Sequence, residues 1–93
     1  MKTQTIAQFT DWFCSNFNVK KSWLRSRSQK QKLAYTRHCF CALASHQGFT
    51  QHQIASVINR DASTVHSSIQ RHKELIGYRK YQQIVGKKFL VNA

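Results

Sequence analysis

Two short helical periods on either side of a three-residue break constrain this chain more than any other feature. From Gly48 the sequence runs GFTQHQIASVINRDASTVHSSIQRH. Thr50 is a residue type that caps helix starts. The stretch 51–58 then puts Ile54, Val57 and Ile58 on one face at helical spacing. Asn59, Arg60 and Asp61 interrupt the pattern, and Asn tolerates the left-handed conformation a sharp turn needs. Asp61 is placed to cap a second helix, where its carboxylate meets the positive end of the dipole. That helix starts at about Ala62. It turns Val65, Ile69, Leu75 and Ile76 inward and leaves Ala62, Ser63, Thr64, Ser67, Ser68 and Arg71 outward. Its outer face near the start is small and polar. A second helix of this kind can lie in a DNA major groove with its N-terminal residues at base edges.

An ordinary helical hairpin would show the same spacing, and charge separates the two readings. Fifteen Lys and Arg face only Asp11, Asp61 and Glu74, a formal charge of +12. Such an excess repels itself in a folded state and points to a polyanionic partner. Nucleic acid fits better than a membrane, since no stretch approaches the roughly 18 consecutive apolar residues of a spanning helix. The start of the chain lacks a basic region followed by an apolar run, so no signal peptide is expected. Three cysteines form no disulfide framework, which suits a reducing compartment, and with a nucleic-acid partner the expected setting is cytoplasmic and nucleoid-associated.

The chain has no proline, its glycines are Gly48, Gly77 and Gly86, and no strand-like alternation is sustained. The expected fold class is all-α: one domain, 1–93, a small bundle of about five or six helices containing a helix-turn-helix. A first helix is expected over 4–17, capped by Thr5 or Thr3, with Ile6, Phe9, Trp12, Phe13 and Phe17 as an amphipathic stripe. Residues 18–28 read as a connection with a helical turn around Lys21–Arg25, anchored by Val19, Trp23 and Leu24. Ser26 and Ser28 read as caps or phosphate-bonding hydroxyls. A long helix is expected from about Gln29 to Gln47, with Leu33, Thr36 or Arg37, Phe40, Leu43 and Ala44 giving its period and Gly48 ending it. Tyr78, Tyr81 and Ile84 suggest a last helix packed on the rest. The closing FLVNA is short and apolar, placed to dock or fray.

Between Lys20 and Arg37 the basic residues are Lys20, Lys21, Arg25, Arg27, Lys30, Lys32 and Arg37, with no acid among them. Ser and Gln separate them rather than Glu, so the run contains no partners to neutralise it. Phosphate contact is the stronger reading over a merely solvated face, because counterion release drives such binding.

The run RDASTVHSSIQRH resembles the signature of the DNA-binding domain IV of the bacterial replication initiator DnaA, usually Arg-Asp-His-Thr/Ser-Thr-Val. Upstream, FNVKKSWLRSRSQKQKLAYTRH resembles that domain's lead-in: a Phe-Asn/Gly-Val turn, a leucine-bearing segment, a Ser/Lys/Arg loop and a long helix. The spacing from Val19 to Arg37 matches without a gap, and two one-residue gaps carry it to Arg60. The likeness spans about residues 6–76. It implies a Trp-repressor-like helix-turn-helix that binds double-stranded DNA, with a role in replication initiation control or transcription regulation. It implies that Arg37 reaches into the minor groove, that Arg27 and Lys30 hold phosphates, and that Thr50 and Gln51 contact the backbone. It places Asp61, Ala62, Ser63 and Thr64 at the major-groove edge. Arg60, Ser67 and Arg71 are the further expected phosphate contacts. Asp can accept from cytosine N4, hydroxyls serve donors or acceptors, and a methyl can touch thymine.

Three departures from the family pattern shape the expectation. Ala62 stands where the family has a base-reading histidine, and Gln29 where it commonly has a basic residue. The family's box, TTATNCACA, is therefore expected to be bound weakly or replaced by a relative. The chain also lacks a Gly-rich Lys-Ser/Thr phosphate loop, so neither ATP binding nor hydrolysis is expected. A freestanding duplex reader of this size would suit a phage or mobile element.

No catalytic residue, cofactor, metal or small-molecule substrate is expected. Cys39 and Cys41 point about 200° apart on one helix and read as core filler rather than zinc ligands with His38 and His46. Pairing Cys14 with a histidine for nucleophilic catalysis would be accidental. His66 and His72 read as surface residues near the second hairpin helix, and Trp12 and Trp23 as packing rather than stacking platforms. The alternatives are nonspecific nucleic-acid binding by charge alone, and a protein-interaction module that binds the host initiator or replication machinery.

Overall fold

The computed structural model describes residues 4–27 and 30–85. Expectations placed on Ser28, Gln29, Gly86, Lys87, Lys88 and the closing FLVNA lie outside these residues. Among the described residues there are six helices and no strand: α1 Ile6–Phe17, α2 Lys21–Arg25, α3 Gln31–His46, α4 Gln51–Ile58, α5 Ala62–Leu75 and α6 Arg79–Val85. The all-α expectation holds, and the boundaries of α2 and α4 fall where the sequence put them.

Local chemistry sets most of the helix ends. Thr5 begins α1 through a capping box: its hydroxyl accepts from the Gln8 N–H at 3.1 Å and the Gln8 side chain accepts from the Thr5 N–H at 2.9 Å. The helix therefore starts at Ile6, the first residue of its hydrophobic stripe and two residues later than the expected start at residue 4. It stops at Asn18, left-handed at φ 55°, ψ 48°. α3 closes in a Schellman motif, with the Gly48 N–H on the Ser45 carbonyl at 3.0 Å and the Phe49 N–H on the Ala44 carbonyl at 3.2 Å. Gly48 takes φ +100°, which a residue with a Cβ adopts only under strain.

The core is an aromatic cluster wrapped around α3. Phe9 and Phe13 of α1 meet Phe40 with ring centroids 5.7 and 5.1 Å apart, and Phe13 stacks on Phe17 at 4.1 Å. Leu24 anchors α2, Ile54 and Ile58 anchor α4, and Val65, Ile69 and Leu75 anchor α5; all are buried. From Cys39 to Ala44 every residue of α3 is buried, so both cysteines are core filler although they point apart. Burial pushes the Cys39 and Cys41 thiols up to about 12.

Four side chains depart from the sequence expectation. Ser68 is buried, not outward, and faces the Cys41 thiol across the α3–α5 interface. His72 is completely buried, not on the surface: its Nδ1 and the Tyr81 hydroxyl lie 2.6 Å apart, and this bond docks α6. Trp12 stacks on Phe9 at 5.6 Å but stays 43% exposed, since it sits on the flank of the α1 stripe. Tyr78 is 62% exposed at the α5–α6 turn, while Tyr81, one helical turn on, carries the packing alone between them.

Candidate nucleic-acid interface

The turn between α4 and α5 follows from three residues. A second capping box starts α4, in which the Thr50 hydroxyl accepts from the Gln53 N–H at 3.1 Å and the Gln53 side chain accepts from the Thr50 N–H at 2.8 Å. Asn59 ends α4 in the left-handed region, at φ 58°, ψ 47°, and turns the chain sharply. The Arg60 N–H returns to the Ala55 carbonyl at 3.1 Å. Asp61 is extended, and its carbonyl accepts from Thr64 and Val65 to start α5.

Asp61 departs from the sequence expectation in one respect. It occupies the N-cap position, but its carboxylate makes no capping hydrogen bond. The carboxylate stays exposed at the head of α5, beside the exposed Ser63 and the half-buried Ala62 and Thr64. One turn on, Ser67 and Arg71 are exposed as expected. The result is a helix end with small side chains, two hydroxyls and one acceptor, and no bulky group to hold a groove away. Gln51 is exposed at the head of α4, as is the capping Thr50.

Beside this helix end lies the basic connection, held there by hydrogen bonds to backbone carbonyls. The Ser26 carbonyl accepts from two guanidinium groups, Arg60 Nη2 at 2.8 Å and Arg37 Nη1 at 3.0 Å. Arg60 comes from the helix-turn-helix turn and Arg37 from α3, so one oxygen ties the connection to both. Arg60 Nη1 also lies 3.5 and 3.4 Å from the Ile58 and Asn59 carbonyls at the end of α4. Arg25 does similar work from α2, reaching the Ser56 and Val57 carbonyls at 3.3 Å. The last carbonyls of a helix have no partners of their own, and arginine is suited to cover them. That rule was the available signal for Arg60, which follows α4 directly, but not for Arg25, which reaches α4 from another helix.

Arg37 is 8% exposed, and burial followed by the nearby Arg60 charge lowers its pKa. In this arrangement the guanidinium lies on the connection, folded away from solvent. Other members of the basic run are also engaged: Lys21 pairs with Asp11 at 2.6 Å, and Lys32 Nζ sits 5.5 Å from the Trp23 ring centroid. Lys20, Arg27 and Lys30 are exposed. Arg71 pairs with Glu74 at 2.8 Å, both exposed, an arrangement a phosphate can displace at little cost. Among the described residues no three His, Cys, Asp or Glu side chains gather to hold a metal, and no helix is long and apolar enough to cross a membrane.

The geometry is a helix-turn-helix whose second helix presents a small polar start, flanked by a cationic connection. Residues 6–71 match the sequence profile of the bacterial DnaA protein helix-turn-helix family. Comparison with curated proteins and with solved structures finds no match.

Proposed function

The chain belongs to the bacterial DnaA protein helix-turn-helix family, and on that premise we propose that it binds double-stranded DNA with sequence preference. The observation that carries this reading is the pairing of the exposed α5 start with the Ser26 junction that fixes the basic connection beside it. Asp61, Ala62, Ser63 and Thr64 read base edges in the major groove. Arg27, Lys30, Thr50, Gln51, Arg60, Ser67 and Arg71 face the phosphate backbone. Arg37 exchanges the Ser26 carbonyl for acceptors in the minor groove, and Arg60 holds Ser26 during the exchange. Occupancy of such sites serves control of replication initiation or of transcription.

Fluorescence anisotropy with one duplex carrying TTATNCACA and one scrambled duplex, at several salt concentrations, tests the reading. With roughly six phosphates engaged, the log–log slope of affinity against salt is expected near −5. Ala62→His restores the family's base-reading side chain and is expected to raise preference for the box by about 1–3 kcal/mol, the worth of a good base contact. A flat salt response, or no binding to either duplex, would overturn the duplex reading. It would favour a protein partner instead, for which α1, free of Lys and Arg and with Trp12 43% exposed, is the surface to test.

A further inference from the structure

The far end of α5 carries a second cationic surface that the interface above does not use. Lys73 is exposed in the last turn of α5, and the 62% exposed Tyr78 leads into the exposed Arg79 and Lys80 at the start of α6. Among the described residues none of these three cations has a carboxylate partner, and the nearby Glu74 is engaged by Arg71. The group lies beyond residue 71, outside the part of the chain that matches the family profile.

A purely structural role does not explain these cations. Lys73 sits in the last turn of α5, where the dipole welcomes it. Arg79 and Lys80, however, occupy the first turn of α6, the positive end, and no acid accompanies them there. They oppose the helix they begin, and they add to the self-repulsion of a +12 chain. A polyanion removes both costs. Ala62 and Lys73 lie near opposite ends of the 14-residue α5, about 17 Å apart along its axis, in a molecule whose longest extent is 32 Å, and Arg79 and Lys80 follow beyond the end of that helix.

We propose that Lys73, Arg79 and Lys80, with the Tyr78 hydroxyl as a further donor, bind the phosphate backbone of a second DNA duplex, so that one molecule bridges two segments. The surface offers cations and one hydroxyl, groups that hold phosphates without reading bases. Apart from Tyr78 it presents no large exposed apolar side chain among the described residues, so it lacks the apolar face by which a helix lies in a lipid surface.

The test captures a fluorescent duplex on beads that carry a second, tethered duplex, in the presence of the protein. The comparison is wild type against the combined variant Lys73→Gln, Arg79→Gln and Lys80→Gln. All three side chains are exposed, and circular dichroism checks that the fold is kept. The variant is expected to lose capture about fivefold or more while its affinity for a single duplex in solution changes by less than about twofold. Undiminished capture by the variant would overturn the proposal. A parallel fall in single-duplex affinity would also overturn it, by placing these residues on the first duplex. Loss of binding to phosphatidylglycerol vesicles with capture unchanged would overturn it in favour of an anionic membrane. Failure of wild type to bind any single duplex would instead overturn the reading of the α5 start.

Discussion

His38 shows how one side chain sets a condition on the whole fold. Its Nδ1 is buried without a hydrogen-bond partner among the described residues. Burial, then the charges of Arg71, Arg37 and His72, push its pKa down from 6.5 to about 4. The native state therefore takes up the proton less readily than the unfolded chain. Above pH 6.5 both are neutral and the contribution to stability is whole. Between 6.5 and about 4 the unfolded chain gains the proton first, so stability falls as pH falls, and below that both carry it. Urea unfolding over this range is expected to show declining stability, and His38→Gln to flatten the decline. A wild-type curve that rises toward pH 4 would refute the assignment. Ser68 and His72 are likewise set by what surrounds them. Their spacing from Val65, three and seven residues, puts them on its face, but their polarity argued for the surface. What turned them inward was a partner on another element, the Cys41 thiol for one and the Tyr81 hydroxyl for the other.

Helices and turns were legible in the sequence wherever their causes are local. The Thr50 cap, the Asn59 turn, the Gly48 stop and the extent of α2 follow from residues within one turn of the feature. What joins the elements was not legible, because backbone carbonyls carry no residue identity. The Ser26 oxygen that receives both Arg37 and Arg60 is such a joint. Arg60→Lys keeps the charge but loses the fork that reaches the Ser26, Ile58 and Asn59 carbonyls together. This variant is expected to bind the preferred duplex about tenfold more weakly, a loss of about 1.4 kcal/mol, with binding to scrambled DNA and the salt slope unchanged. An equal loss on both duplexes would assign Arg60 to phosphate contact alone. The α6 dock is a second joint. Tyr81→Phe removes the hydroxyl that meets the buried His72 Nδ1 at 2.6 Å, at about 1–3 kcal/mol. Faster amide exchange across α6, with duplex affinity kept, is the expected signature.

For the whole molecule, the distribution of charge matters more than its total. The three acids are spread over α1, the α4–α5 turn and the end of α5, and two of them are paired with a neighbouring Lys or Arg. α1 has no Lys or Arg, whereas the connection before α3 and the end of α5 are cationic. The candidate interface was legible in outline, since the second helix and the basic run stand where the sequence put them. Its inner arrangement was not: Arg37 is buried on a carbonyl, and the Asp61 carboxylate leaves its helix uncapped. On this account the α5 start and the basic connection meet one duplex together, and amide NMR shifts on adding less than one equivalent of the box-containing duplex would show it. The largest shifts are expected at Asp61 to Thr64, with a second group at Arg27 and Lys30. Shifts that leave Asp61 to Thr64 unmoved would contradict it.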